Sequence, residues 1–218
     1  MIRMLASVVF FSLALACTST AAGPSSKGGS AMPATQAAPP VKKGQAEAVF
    51  AGGCFWCLES DLDKVPGVLS TTSGYAGGDQ KGPAYKEVAS GKTSHIESVR
   101  VVYDPKVLDY ATLLDAFWHS VDPTQANGQF CDIGPHYRTA IFTSDEDERA
   151  LAERTRDEAA ATLGKTVVTE ILPASTFWEA EEYHQDFYKK NPGHYLRYRM
   201  GCGRDQQLKR LWGEAASH

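Results

Sequence analysis

Cys54 and Cys57 bracket Phe55 and Trp56 in the stretch 52-GGCFWCLES-60. A Cys-x-x-Cys can hold a metal, switch a disulfide or present a nucleophile. Cys54 follows two glycines and opens a run with helical spacing that reaches Asp63. The unpaired N–H groups and the macrodipole at a helix N-terminus favour an anion. The Cys54 thiol is therefore expected to titrate below an ordinary cysteine and to be the nucleophile of the pair. Cys57 lies one turn deeper, near enough to form a disulfide with Cys54 or to assist it.

Other chemistries fit less of the pattern. A structural zinc site needs four ligands, usually as two close pairs, and Cys131 and Cys202 are widely separated singles. A disulfide from Cys54 to one of them, a cysteine peptidase with a His held by Asn or Asp, and a general thiol–disulfide exchange motif built on Cys54 and Cys57 remain as alternatives. The peptidase reading leaves Phe55 unexplained. No metal and no organic cofactor is expected.

The elements that position this stretch are legible from pattern. Residues 47-EAVFAGG-53 read as a strand ending in glycines, and 68-VLSTTSGYAGG-78 as a strand running into a Gly-rich loop. In 96-IESVRVVYD-104, Ile96, Ser98 and Arg100 alternate with Val99 and Val101, a strand signal closed by Pro105. A helix is expected over 109–123, with Asp109 as N-cap and Tyr110, Leu113, Leu114, Phe117, Trp118 and Val121 on one face. The loop 122–138 is long enough to suggest function. A strand over 137–142, a charged helix from Ser144 to Gly164, a strand over 166–173 and a helix over 178–188 follow, with a basic, irregular remainder. The order β-α-β-β-α-β, then α-β-α, predicts an α+β fold: a ferredoxin-like two-layer α/β sandwich (split βαβ) with an additional C-terminal helix and an irregular tail.

The chain has 218 residues, 43% apolar and 22% charged, with net charge −4, which suits one globular domain with a real core and lacks the basic footprint of a nucleic-acid binder. Its first residues read differently. An Arg followed by 5-LASVVFFSLALA-16 has the layout of a secretory signal. The segment 14-ALAC-17 reads both as an A-x-A cleavage site and as a lipobox in which Cys17 would be lipidated. Residues 18–45 are nearly all Ser, Thr, Ala, Gly, Pro, Gln and Lys, a composition expected to stay disordered and to act as a tether of roughly 30 Å r.m.s.. The expected organisation is a signal peptide (1–16), a linker (17–46), a catalytic domain (47–213) and a tail (214–218). The protein is expected to be exported to a bacterial cell envelope or periplasm and lipid-anchored there if Cys17 is modified.

The string 53-GCFWCLE-59 resembles the signature of the A-class peptide methionine sulfoxide reductases. Further stretches resemble the same family in the same order: 74-GYAGG-78, 85-YKEVASG-91, 95-HIESVRVVYDP-105, 122-DPTQ-125, 132-DIGPHYRTAIF-142 and 183-YHQDFY-188. The resemblance spans roughly 48–213. It implies Cys54 as nucleophile, Phe55 and Trp56 as rings that hold the sulfoxide's methyl group, Glu97 as the buried acid, Tyr85 and Tyr137 as phenols near the oxygen, and Asp132 as an acidic residue of the same pocket. The implied substrate is methionine-S-sulfoxide, free or in oxidised proteins, in a monomeric enzyme. The implied reductant is thioredoxin or a thioredoxin-like envelope protein.

Those residue types suit the reaction. Oxide is a poor leaving group, so the thiolate that attacks sulfur needs an acid opposite it. Glu97 can serve only if burial keeps it neutral. The phenols can hydrogen-bond the oxygen. Each residue also has a plainer reading: Phe55 and Trp56 as core, Glu97 as a surface position, Tyr85 and Tyr137 as packing, and His184 as a partner for a local carbonyl with no chemistry assigned. Oxygen transfer leaves a Cys54 sulfenic acid that a second thiol must condense with. Cys202, in the Gly-flanked 198-YRMGCGRD-205, is the first candidate, Cys57 the second and Cys131 the third. Unlike many relatives, the chain lacks a longer Gly-rich tail with two cysteines, which points to single-step resolution.

Overall fold

The computed structural model describes residues 35–216. The expected signal peptide and Cys17 lie outside the described residues. In chain order the elements are β1 (Ala46–Gly52), α1 (Phe55–Leu62), β2 (Val68–Ala76), α2 (Tyr85–Ala89), β3 (Ile96–Tyr103) and α3 (Tyr110–Trp118), then β4 (Gly128–Gln129), β5 (Asp132–Ile133), β6 (Thr139–Thr143), α4 (Glu146–Leu163), β7 (Glu170–Pro173) and β8 (Trp178–Glu179), and finally α5 (Phe187–Lys190), α6 (Pro192–Cys202) and α7 (Arg204–Trp212).

The main sheet has the order β7-β6-β1-β3-β2-β8. Its centre, β6-β1-β3-β2, pairs antiparallel throughout, and with α1 and α3 as crossovers it is the expected split βαβ sandwich. β7 extends one edge parallel to β6, and β8 closes the other against Gly74 and Tyr75. Alternation along the strands decides the two faces. Ala48 and Phe50 of β1 and Val99, Val101 and Tyr103 of β3 join Leu58, Leu62, Leu113, Leu114 and Phe117 in the main core. The Phe50 and Phe117 rings stack at 4.9 Å there. Ala51, Ala76, Ile96, Ala140 and Phe142 face the other way and pack with Phe177.

The caps follow the sequence closely. The Asp109 carboxylate accepts from Thr112 N at 2.7 Å. Asp145, rather than Ser144, caps α4 by accepting from Glu148 N. Gly164 ends α4 in the left-handed region, as a C-terminal glycine should.

Three expectations are corrected. The expected disorder through Gln45 is cut short, because residues 36–39 run along the second face of the sheet. Glu179 N donates to Gln36 O, Ala38 N donates to Phe177 O, and Arg100 Nη2 donates to Pro39 O. The segment gives Arg100, buried on that face, an acceptor and gives edge strand β8 a partner. The helix expected over 178–188 is instead β8, a series of turns and the short α5. The irregular remainder is two helices, α6 and α7, separated by Gly203 at φ +71°. Pattern reading passed over α6 because its buried residues are Tyr195 and Arg199, not an aliphatic stripe.

Candidate active site

The strand-to-helix turn at 52–54 sets the geometry. Gly53 has φ +81°, and a Cβ there would lie 2.4 Å from Cβ of Gln129, so the position tolerates only glycine. Gln129 is itself buried, with Oε1 accepting from Asp122 N and Nε2 donating to Asp122 O. Gln125 similarly holds Phe130 N and O. Two glutamines thus order the 122–133 loop against the start of α1, and that loop delivers Asp132.

Glu97 sits on β3 in phase with Val99 and Val101, on the core face, at the end of the strand nearest the N-terminus of α1. Its Oε2 accepts from Phe55 N at 3.1 Å. Burial pushes its carboxyl up to about 8, a shift that the Phe55 N–H moderates and Asp132 and Cys57 reinforce. At neutral pH Glu97 therefore carries a proton, as a general acid must. Tyr85 begins α2, with its N–H held by Glu181 at 3.0 Å. Tyr137 ends a 3-10 turn over Pro135–Tyr137. The two phenols are hydrogen-bonded to each other, and burial pushes the Tyr85 hydroxyl up to about 12 and Tyr137 upward as well. Both are hydrogen-bond donors throughout the physiological range.

Cys54, Phe55, Trp56, Tyr85, Glu97, Asp132 and Tyr137 line one cavity of about 100 Å³. Every residue that the sequence placed in the pocket is brought together there. The volume admits a methylsulfinyl end rather than a whole large side chain. One lining residue was missed: Tyr198 of α6, whose hydroxyl donates to Asp132 Oδ2 and whose ring meets Trp56 edge-on at 6.0 Å. Its only sequence signal was its place four residues before Cys202, visible once α6 is known to be a helix.

Trp56 is fixed from several sides. Phe187 stacks on it at 3.8 Å and 8°, and its Nε1–H donates to His184 Nδ1 at 3.1 Å. His184 also packs on Phe55 and Tyr85, and burial lowers its imidazole to about 4. It is therefore neutral with Nδ1 as the acceptor. The expected local-carbonyl role is replaced by that of an acceptor orienting the Trp56 indole. Lys189 of α5 bridges to Asp63 at 2.6 Å, which ties the Phe187 segment to the end of α1.

The cysteines depart from expectation in two ways. First, Cys131 and Cys202 form a disulfide, while Cys54 and Cys57 are free and buried. Cys202 is not on a mobile Gly-rich tail facing Cys54. It ends helix α6 and is bonded to the loop beside Asp132. The four cysteines thus do not converge as a zinc site would require. Second, burial, Cys57 and Glu97 push the Cys54 thiol up, against the lowering expected from the helix N-terminus. The Cys57 thiol is pulled down, chiefly by its hydrogen bond with Cys54 and then by Arg204 and Arg199.

The sequence model for "Peptide methionine sulfoxide reductase" matches residues 46–216. The chain is 55% identical over 167 residues to a peptide methionine sulfoxide reductase of Caulobacter vibrioides, covering 76% of this chain and 85% of that protein. A Bacillus subtilis peptide methionine sulfoxide reductase is 47% identical over 168 residues, covering 76% and 95%. Among solved structures, methionine sulfoxide reductase A of Corynebacterium diphtheriae superposes with a TM-score of 0.63 at 35% identity, covering 69% of this chain and 77% of that one.

Proposed function

The chain belongs to the peptide methionine sulfoxide reductase family, and we propose that it reduces methionine-S-sulfoxide, free or in proteins, to methionine. The observation that carries this reading is the single small cavity in which the Cys54 thiol, the neutral Glu97 carboxyl, two phenols and two apolar rings meet.

A methylsulfinyl group fits with its methyl against Phe55 and Trp56 and its oxygen toward Glu97, Tyr85 and Tyr137. The Cys54 sulfur attacks the sulfoxide sulfur while Glu97 gives its proton to the oxygen. Methionine leaves, reduced by two electrons, and Cys54 becomes a sulfenic acid. Phenol hydrogen bonds stabilise the charge that develops on oxygen. The rigid indole plane selects one epimer by limiting where the methyl can lie.

We assign resolution to Cys57 rather than to Cys202, which ranked first from the sequence. The placement of Cys57 one turn beyond Cys54, with its N–H donating to Cys54 O, and the Cys131–Cys202 disulfide support this. Cys57 attacks the Cys54 sulfur, water leaves, and a Cys54–Cys57 disulfide remains for a thioredoxin-like dithiol to reduce. The protein acts as a monomer, exported by residues 1–16 and held at the envelope membrane through lipid on Cys17; the leader and 14-ALAC-17 support that placement.

The deciding experiment is turnover with dithiothreitol on separated S and R epimers of a blocked methionine sulfoxide. Reduction of the S epimer alone, lost in Cys54→Ser, is expected. Reduction of neither by folded protein would sink the reading. Mass analysis of the mature N-terminus tests the anchor: a lipidated Cys17 is expected, and an unmodified N-terminus refutes it.

A further inference from the structure

One wall of the small cavity comes from the C-terminal helices. Tyr198 of α6 lines it beside Cys54, Phe55, Trp56 and Asp132. Its ring meets the Trp56 indole edge-on at 6.0 Å, so it borders the rings that receive the methyl group. A phenol has one O–H to donate, and that of Tyr198 goes to Asp132 Oδ2. Tyr198 therefore offers a substrate the apolar side of its ring, with its hydroxyl proton already engaged.

A ladder of contacts fastens α6 to the loop that carries Asp132. Three consecutive loop residues, Phe130, Cys131 and Asp132, meet Arg204, Cys202 and Tyr198 in reverse order. The Arg204 guanidinium covers the Phe130 ring at 4.6 Å. Cys131 and Cys202 are bonded, and Cys131 N donates to Cys202 Sγ at 3.1 Å. Tyr198 holds Asp132. Tyr198 and Cys202 are one turn apart and so share a face of α6. Phe130 is kept at φ +55°, a conformation that a bulky residue rarely holds unless its surroundings impose it.

The disulfide is the middle rung and the one that chemistry can open. Cys131 is exposed and Cys202 half-buried, so a small dithiol can reach the bond. The packing of α6 does not pass through it. Arg199 pairs with the buried Asp61 at 2.8 Å, and Tyr195 is buried. Opening the disulfide therefore loosens Tyr198 against Asp132 without releasing the helix.

Building on the reductase reading, we propose that Tyr198 is a specificity residue, the third ring of the methyl pocket, and that the Cys131–Cys202 disulfide positions it, so that reducing this bond weakens substrate binding. Cys131 and Cys202 are positioning residues acting through Tyr198. The reduction balances: a dithiol gives two electrons and two protons to the pair, which becomes two thiols, and itself closes to a disulfide.

The test is calorimetric binding of a blocked methionine-S-sulfoxide to Cys54→Ser/Cys57→Ser protein, oxidised and then reduced with dithiothreitol. In that protein the Cys131–Cys202 bond is, among the described residues, the only one dithiothreitol can open. Reduction should raise the dissociation constant several-fold. Tyr198→Ala in the same background should raise it roughly tenfold and make it indifferent to reductant. Tyr198→Phe, which keeps the ring, should recover most of the loss. Tyr198→Ala should also narrow the preference for the S-methyl over the S-ethyl sulfoxide, which a merely structural role would leave unchanged. Equal binding by oxidised and reduced protein overturns the positioning role of the disulfide. Tyr198→Phe as weak as Tyr198→Ala, or an unchanged methyl-to-ethyl preference, overturns the ring as a wall. If Tyr198→Ala does not fold, the methyl-to-ethyl preference of its parent decides alone: it should narrow on reduction. Wild-type protein that reduces the S epimer while Tyr198→Ala binds like its parent loses this proposal only. Protein that neither binds nor reduces either epimer loses the reductase reading and this one with it.

Discussion

Two cysteine pairs lie close to the same pocket and differ in nearly every respect. Cys54 caps α1 and Cys57 follows three residues on within it; both are buried and unbonded as a disulfide. Cys131 and Cys202 are separated by 71 residues, lie at the surface side of the pocket and are bonded. The near pair is acted on by groups of opposite charge: Glu97 raises the Cys54 thiol, while Arg204 and Arg199 add to the lowering of Cys57. The far pair lies beside a carboxylate, with an Asp132 oxygen within 4.8 Å of both sulfurs, and it joins the loop carrying Asp132 to the helix carrying Tyr198. In the proposed cycle the neighbouring pair is the reactive one and the distant pair fastens the fold. What separates them is burial and bonding: the near thiols are buried and free, and the far pair is bonded nearer the surface.

The largest test of that contrast is to remove one sulfur from each pair. Cys54→Ser should abolish turnover, a loss of at least about 10³-fold, since among the described residues no other thiol lines the cavity. Cys202→Ser should keep first-turnover methionine formation within a few-fold of wild type. Steady-state and single-turnover assays on both variants check this. A dead Cys202→Ser with an intact fold would merge the two pairs into one pathway.

Next in size is the acid beside the near pair. Glu97→Gln should lower the rate of the first turnover by roughly 10²–10⁴-fold. In the wild type, Glu97 held near 8 by burial must be protonated to act. The pH profile should therefore fall above about pH 8, and the Gln variant should lose that limb. A profile unchanged by the substitution would remove Glu97 from the chemistry.

The far pair has its own measurable consequence. Closing a loop of 71 residues restricts the unfolded chain by about 4 kcal/mol in the chain-entropy account. The double variant Cys131→Ser/Cys202→Ser should lose stability of that order by denaturant titration. A loss near zero would mean that the bond fastens nothing.

The near pair and its rings were legible because they are local. Glu97 by itself read as a surface position and was placed as a buried acid by the family resemblance, although its phase with Val99 and Val101 puts it on the core face. The cap at Asp109 and the left-handed glycine at Gly164 are likewise written in single residues. The resemblance to the family placed Tyr85, Tyr137 and Asp132, which no period marks. What escaped was long-range and polar. Tyr198, Arg199 and Arg204 lie on helices that bury tyrosine and arginine, which pattern reading takes for a surface. The bond between Cys131 and Cys202 depends on a fold that brings α6 to the 122–133 loop. The downward pull on Cys57 comes chiefly from Cys54, and the arginines that add to it arrive from some 140 residues away. The thiol order within the pair was therefore reversed, because the helix N-terminus was the only field visible locally.

The smallest test concerns a second buried acid next to the reactive pair. Glu59 lies two residues beyond Cys57 on α1, is 1% exposed, and is pushed up to about 7 by burial. Its folded-state value lies above the unfolded one, so the native state favours the protonated form. Its contribution to stability is intact below about pH 4.5 and is lost progressively as pH rises to about 7, a cost on the order of 3 kcal/mol. Glu59→Gln, neutral at every pH, should flatten that part of the stability profile and stabilise the protein at about pH 8 while changing little near pH 4.5. The slope that remains toward pH 8 then belongs to Glu97, the one acid whose neutrality the reaction uses. If Glu59→Gln destabilises the protein at high pH instead, the fold accommodates the ionised Glu59 carboxylate, and the burden of buried acid around the near pair falls on Glu97 alone.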